Sequence, residues 1–216
     1  MKNTTLSTLI AICLMALAGS AIADGDIASG EAQVVAVCAT CHGADGNSQV
    51  STFPKLAGLG EKYLVNQMRY IKACKCVDMM AGILDNKTEQ DFEDIAAYFS
   101  AQQIQLSGAK KDLKVMLNDG QWVNTLDLGE RLYRSGNMET RTPACSGCHS
   151  PTGQGNGPAG VPRLGGQHAD YIKQQLISFR SGLRDSDGDT RIMRSVAKHM
   201  SDAEIDAVSN YVSGLH

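Results

Sequence analysis

Aromatic residues make up only 5% of the 216-residue chain, with one Trp, four Phe and six Tyr. A chain divided into small units with so few large side chains buries proportionally little apolar surface, and each unit needs something extra at its centre. Strand-type alternation of polar and apolar residues is missing, which leaves a helical reading throughout. No half of the chain is strongly basic, which excludes nucleic acid as a partner. Nor is there a nucleophile and base pair, a phosphate-binding loop or a base-stacking platform. The longest apolar run, Leu6 to Ala18, falls short of the roughly 20 residues of a membrane span. Preceded by Lys2 and followed by Ala21-Ile22-Ala23, it reads as a secretory signal peptide over 1–23, with an uncleaved anchor as the lesser alternative.

Against these absences stands one motif that occurs twice, Cys38-Ala39-Thr40-Cys41-His42 and Cys145-Ser146-Gly147-Cys148-His149. A Cys-x-x-Cys-His run is the attachment signature of c-type haem. Two thiols add across the porphyrin vinyl groups, and the neighbouring His is held beneath the iron. A redox dithiol or a zinc site built from both runs leaves His42 and His149 without a role. Two covalently bound haem c groups are expected, on Cys38, Cys41, Cys145 and Cys148, with His42 and His149 as proximal ligands. Attachment of this kind takes place on the oxidising side of a membrane, which with the leader points to a bacterial periplasm.

The motifs belong to a wider repeat. Pro54, Leu56, Gly58, Tyr63 and Gln67 return 108 residues later as Pro162, Leu164, Gly166, Tyr171 and Gln175. Phe92, Ile95, Tyr98 and Phe99 return as Ile205, Val208, Tyr211 and Val212 at an offset of 113, so the second half carries five extra residues, placed in the Arg180 to Arg191 segment. The fold expected is all-α, with two tandem domains related by internal duplication: 24–102, a connector over 103–125, and 126–216. Apolar spacing predicts helices over about 27–37, 62–73, 90–101, 127–134, 169–181 and 202–213. Thr88 with Asp91 and Ser201 with Glu204 resemble N-terminal caps, and only the second has the Glu of a full capping box. Trp122, in the connector, is read as a packing residue.

An iron with one His has a sixth position to fill, and a methionine thioether there makes a carrier. Met193 and Met80 each lie eighteen residues before the matched tyrosines Tyr211 and Tyr98, whereas Met79 corresponds to Ile192, which cannot ligate. Met80 and Met193 are therefore the expected ligands, with Met79 the rival for the first. Met68, Met116, Met138 and Met200 are assigned to packing. Pro54 and Pro162 either form turns or present their carbonyls to the proximal imidazoles. His168 and His199 read as surface or interface residues. The Asp185, Asp187, Asp189 series fails as a calcium loop, since Gly188 is misplaced and the twelfth position is Val196. Cys74 and Cys76 lack a following His and are read as surface thiols or a local disulfide, ahead of an intermolecular bridge or thiolate ligation.

The chain resembles the cytochrome c4 family over almost all of 24–216. The likeness rests on both haem motifs, on Phe53-Pro54-Lys55-Leu56-Ala57-Gly58 and Asp94-Ile95-Ala96-Ala97-Tyr98-Phe99, and on Pro162-Arg163-Leu164-Gly165-Gly166-Gln167-His168. It extends to Asp187-Gly188-Asp189-Thr190 with Ile192-Met193-Arg194, and to the ending Gly214-Leu215-His216. The resemblance implies two class I cytochrome c domains with His/Met haems facing each other across a pseudo-two-fold interface. It also implies electron transfer in the periplasm from a quinol-oxidising or other donor complex towards a terminal oxidase, a cbb3-type enzyme being one candidate. Attachment to the outer face of the inner membrane is compatible with this. The alternative is a dihaem redox enzyme such as a peroxidase or a thiosulfate-oxidising cytochrome. Two departures stand out: Cys74 and Cys76, and a connector that is long around Lys110 to Trp122. Charge is unequal, with six Lys and Arg against eleven Asp and Glu over 24–102, and thirteen against twelve over 103–216.

Overall fold

The structure is a computed structural model that describes residues 25–74 and 77–216. The signal-peptide reading of 1–23 and the reading of Cys76 lie outside the described residues. In the first half, α1 (Ile27–Gln33) passes through a π-helical turn (Val34–Cys38) into α2 (Ala39–His42), and α3 (Glu61–Cys74) and α4 (Glu89–Ser100) follow. The second half runs α5 (Thr125–Ser135), α6 (Ser146–His149), α7 (Ala169–Ser181), α8 (Ile192–Ala197) and α9 (Asp202–Ser213).

Each half is held by a crossing of its first and last long helices, α1 on α4 and α5 on α9. Both crossings turn on a glycine. A Cβ on Gly30 would stand 2.0 Å from the Asp94 carbonyl oxygen, and one on Gly129 would stand 2.4 Å from that of Ala207. Asp94 and Ala207 are partners in the repeat, so the duplication preserved the contact itself. The apolar faces expected from the spacing are buried: Phe92, Ile95 and Phe99 beside Val34, Leu64 and Met68, and Ile205, Val208 and Val212 beside Tyr133, Ile172 and Met200. Because the obstacles at Gly129 are backbone and Cβ atoms, Gly129→Ala is expected to destabilise the second half by about 1–3 kcal/mol, the usual cost of overpacking. Denaturant unfolding of the holoprotein followed by far-UV circular dichroism checks this.

Several expectations need correction. The connector contains a two-stranded antiparallel hairpin, β1 (Lys114–Met116) with β2 (Trp122–Asn124), where no strand was expected. Val115, Leu117 and Val123 face inward onto Leu128, Leu132 and Ala207, while Met116 and Trp122 pair on the outer face at 56% and 66% exposure. Trp122 is therefore not a buried packing residue. Met116 and Met138 do not pack either, the latter being 91% exposed, whereas Met68 and Met200 do. Thr88 and Asp91 form a complete capping box, the shorter Asp reaching the Thr88 N–H at 2.7 Å.

The connector is bonded to both halves. Asn47 takes the Gln105 N–H on its Oδ1 (2.8 Å) and donates to the Gln103 carbonyl (3.0 Å). On the other side, Asn210 accepts from the Lys110 N–H at 2.8 Å and donates to its carbonyl at 2.9 Å. Among the described residues no helix is long and apolar enough to cross a membrane.

Candidate haem sites

The π-helical turn widens α1 directly before the first motif, a distortion often found at functional positions. It leads into the short helix α2, which carries Cys41 and His42. The chain then turns at Gly43 (φ 81°), and after the second motif at Ser150 (φ 68°). A non-glycine residue in that region carries strain. Here the Ser150 carbonyl accepts a 2.6 Å bond from the Tyr133 hydroxyl, and its side chain accepts from the Gln154 N–H at 2.9 Å.

The two motif histidines are held alike. His42 Nδ1 lies 2.9 Å from the Pro54 carbonyl and His149 Nδ1 lies 2.9 Å from that of Pro162. A carbonyl can only accept, so each Nδ1 carries the proton and each Nε2 keeps its lone pair for a metal. Burial pushes both imidazoles below the ordinary histidine range, against the raising effect of the carbonyl bond. The prolines are set in turn by matched backbone bonds. Leu56 N–H donates to Gly46 and Leu164 N–H to Gly153, both at 2.8 Å, and Gly58 and Gly166 N–H reach Phe99 and Val212 at 2.9 and 3.0 Å.

The methionines at the matched positions differ in exposure from their neighbours. Met80 packs against the first core, while Met79 is 67% exposed. Met193 is half-buried and its neighbour Ile192 is exposed. The two methionine loops are supported differently. Asp187 grips Arg194 through its backbone N–H (2.9 Å) and its Nε (2.7 Å), which fixes the start of α8 around Met193. The acidic series thus holds a loop rather than calcium. The first loop begins at Cys74, which is disulfide-bonded, and is tied at its far end by Lys72 to the Lys87 carbonyl (2.6 Å) and by Lys87 to Gln33 (2.8 Å). Cys38, Cys41, Cys145 and Cys148 are free thiols, as thioether formation requires. Among the described residues no three His, Cys, Asp or Glu side chains converge as a metal cluster.

Paired thiols, a neutral imidazole with Nε2 available and one half-buried methionine in each half fit haem c and set the class: a dihaem c-type cytochrome. The family profile of cytochrome c matches residues 127–216, and that of cytochrome c oxidase, cbb3-type, subunit III matches residues 25–99. The chain is 48% identical to cytochrome c4 of Pseudomonas aeruginosa over all of both chains, and 45% identical to that of Azotobacter vinelandii over 99% of this chain and 100% of the relative. The crystal structure of reduced recombinant cytochrome c4 from Pseudomonas stutzeri superposes with a TM-score of 0.80 at 45% identity, over 89% of this chain and 100% of that one. The chain belongs to the cytochrome c4 family. It carries two covalently bound haem c groups and serves as an electron carrier.

Residues with no role assigned from the sequence hold the halves together. Arg184, in the segment with the extra residues, donates to Gln67 (2.7 Å) and Tyr63 (3.1 Å) of the first half and to Gln175 (2.7 Å) of the second, and stacks on Phe179. Tyr171 beside it is pushed up to about 12, chiefly by burial. His168 is an interface residue, with Nε2 2.9 Å from the Ser48 carbonyl and Nδ1 3.0 Å from the Ser107 hydroxyl, while His199 is on the surface. The matched pairs Tyr63/Tyr171 and Gln67/Gln175 were legible in the repeat; Arg184, lacking a counterpart, was not.

Proposed function

We propose that Cys38 and Cys41 attach the N-terminal haem, with His42 and Met80 as its axial ligands, and that Cys145, Cys148, His149 and Met193 do the same for the C-terminal haem. The domains are taken as 24–102 and 126–216 with 103–125 between them, after removal of 1–23 on export to the periplasm. Bound haem supplies a one-electron iron couple, and the protein contributes ligation and orientation. The observation that carries this reading is the matched pair of His to Pro carbonyl bonds, which leaves one equivalent metal-binding nitrogen per domain. The inward position of Met80 beside the exposed Met79 supports a closed iron, which favours a carrier over a peroxidase or a thiosulfate-oxidising enzyme.

The partners proposed are a quinol-oxidising or other donor complex and a terminal oxidase, of which the cbb3 type is one candidate. Docking takes place at the outer face of the inner membrane by peripheral contact. The acidic excess of the first half, eleven Asp and Glu against six Lys and Arg, gives the molecule a charge direction. Redox encounters use small interfaces, and charge there acts mainly on the rate of association. Oxidation by a membrane-bound terminal oxidase, followed by stopped flow, should slow as ionic strength rises. A rate independent of salt would leave the asymmetry without a role.

A further inference from the structure

The hydrogen bonds at His42 and His149 are alike, yet the peptide groups that accept them are not held alike. The Pro54 carbonyl that accepts from His42 Nδ1 and the Lys55 N–H are the two ends of a single peptide unit. That N–H donates to Gln167 Oε1 of the second domain at 2.9 Å, and Gln167 Nε2 returns a 2.8 Å bond to the Lys55 carbonyl. Gln167 and Lys55 are both buried, at 3% and 4% exposure. The amide cannot be turned over, because its oxygen also takes the His168 N–H at 3.1 Å. In the second domain the equivalent peptide is Pro162–Arg163. Its N–H has no hydrogen-bond partner among the described residues, and the position equivalent to Gln167 is Leu59, a core residue of the first domain.

We propose that Gln167 is a positioning residue acting across the domain interface, which polarises the Pro54–Lys55 peptide and strengthens the bond from His42 to Pro54. An amide whose N–H is donated carries more negative charge on its oxygen, through the resonance that makes the peptide planar, and linked hydrogen bonds reinforce each other in a low-dielectric interior. A stronger carbonyl bond makes the imidazole a more electron-rich ligand. This lowers the potential of the N-terminal haem and leaves the C-terminal one untouched, so a single side chain makes two duplicated sites unequal. The inference rests on the reading of His42 as proximal ligand.

The test compares wild-type holoprotein with Gln167→Leu, which removes the relay, and Gln167→Glu, which keeps an acceptor for the Lys55 N–H but loses the return bond. A titration resolving the two haems gives the potentials, and NMR of the reduced protein gives the His42 Nδ1–H resonance. Gln167→Leu should raise the N-terminal potential and move that resonance upfield, with His149 unchanged. Gln167→Glu should shift the N-terminal potential downward. Mere loosening of the interface would admit water to the haem edge and lower the potential in both variants, and that outcome overturns the proposal. So does an unmoved His42 Nδ1–H in Gln167→Leu. If His42 in the wild type lacks the ring-current shift of a haem ligand, it is the ligand assignment that fails instead.

Discussion

Met80→Ala should open the N-terminal haem to carbon monoxide while the C-terminal haem stays closed, and Met193→Ala should do the converse. Met80 and Met193 are the sixth ligands proposed from their matched positions in the two halves. Loss of the thioether removes a group that favours ferrous iron, so the potential of the affected haem should also fall. As the proposed attachment points, Cys38, Cys41, Cys145 and Cys148 should retain both haems in either variant. Met79→Ala is the control, since Met79 is exposed and corresponds to Ile192. An N-terminal haem opened by Met79→Ala and left closed by Met80→Ala would place the ligand one residue earlier. The optical spectrum of the reduced protein, with and without carbon monoxide, separates these results.

The other large effect expected is on folding. With Cys145→Ser and Cys148→Ser together, the C-terminal half should lose haem on denaturation and regain little helix on refolding. The core of that half is small, and several of its apolar members, among them Cys145, Leu164, Tyr171 and Leu176, are only partly buried against it. Haem adds a large apolar body to such a core, and folding linked to binding disappears with the bound group. Haem staining on a denaturing gel should show half the wild-type content, and circular dichroism should show a matching loss of helix. Recovery of full helix content without the second haem would mean that the half folds by its own packing.

Much of this architecture was legible because duplication gives a sequence an internal control. The spacing of Phe92, Ile95 and Phe99 and that of Ile205, Val208 and Val212 placed α4 and α9 within a residue of their observed bounds. The proposal of Met80 over Met79 rests on the same internal comparison, Met79 corresponding to Ile192. The hairpin escaped because its strands have three residues each and only one inward side, although Asn118-Asp119-Gly120 is turn chemistry and Gly120 does take a positive φ of 84°. The outward position of Trp122 follows from that register: it pairs with Met116 on the face away from Val115 and Val123. Gln167 could not have been found from the sequence, because it bonds to the backbone of a residue 112 positions away, and a backbone acceptor leaves no mark on residue type.

The central claim is that both irons are closed by residues of the chain, which makes the protein a carrier. Addition of carbon monoxide to the reduced wild-type holoprotein tests it most directly. The spectrum should be unchanged at both haems under native conditions. Substantial binding at either haem would contradict it.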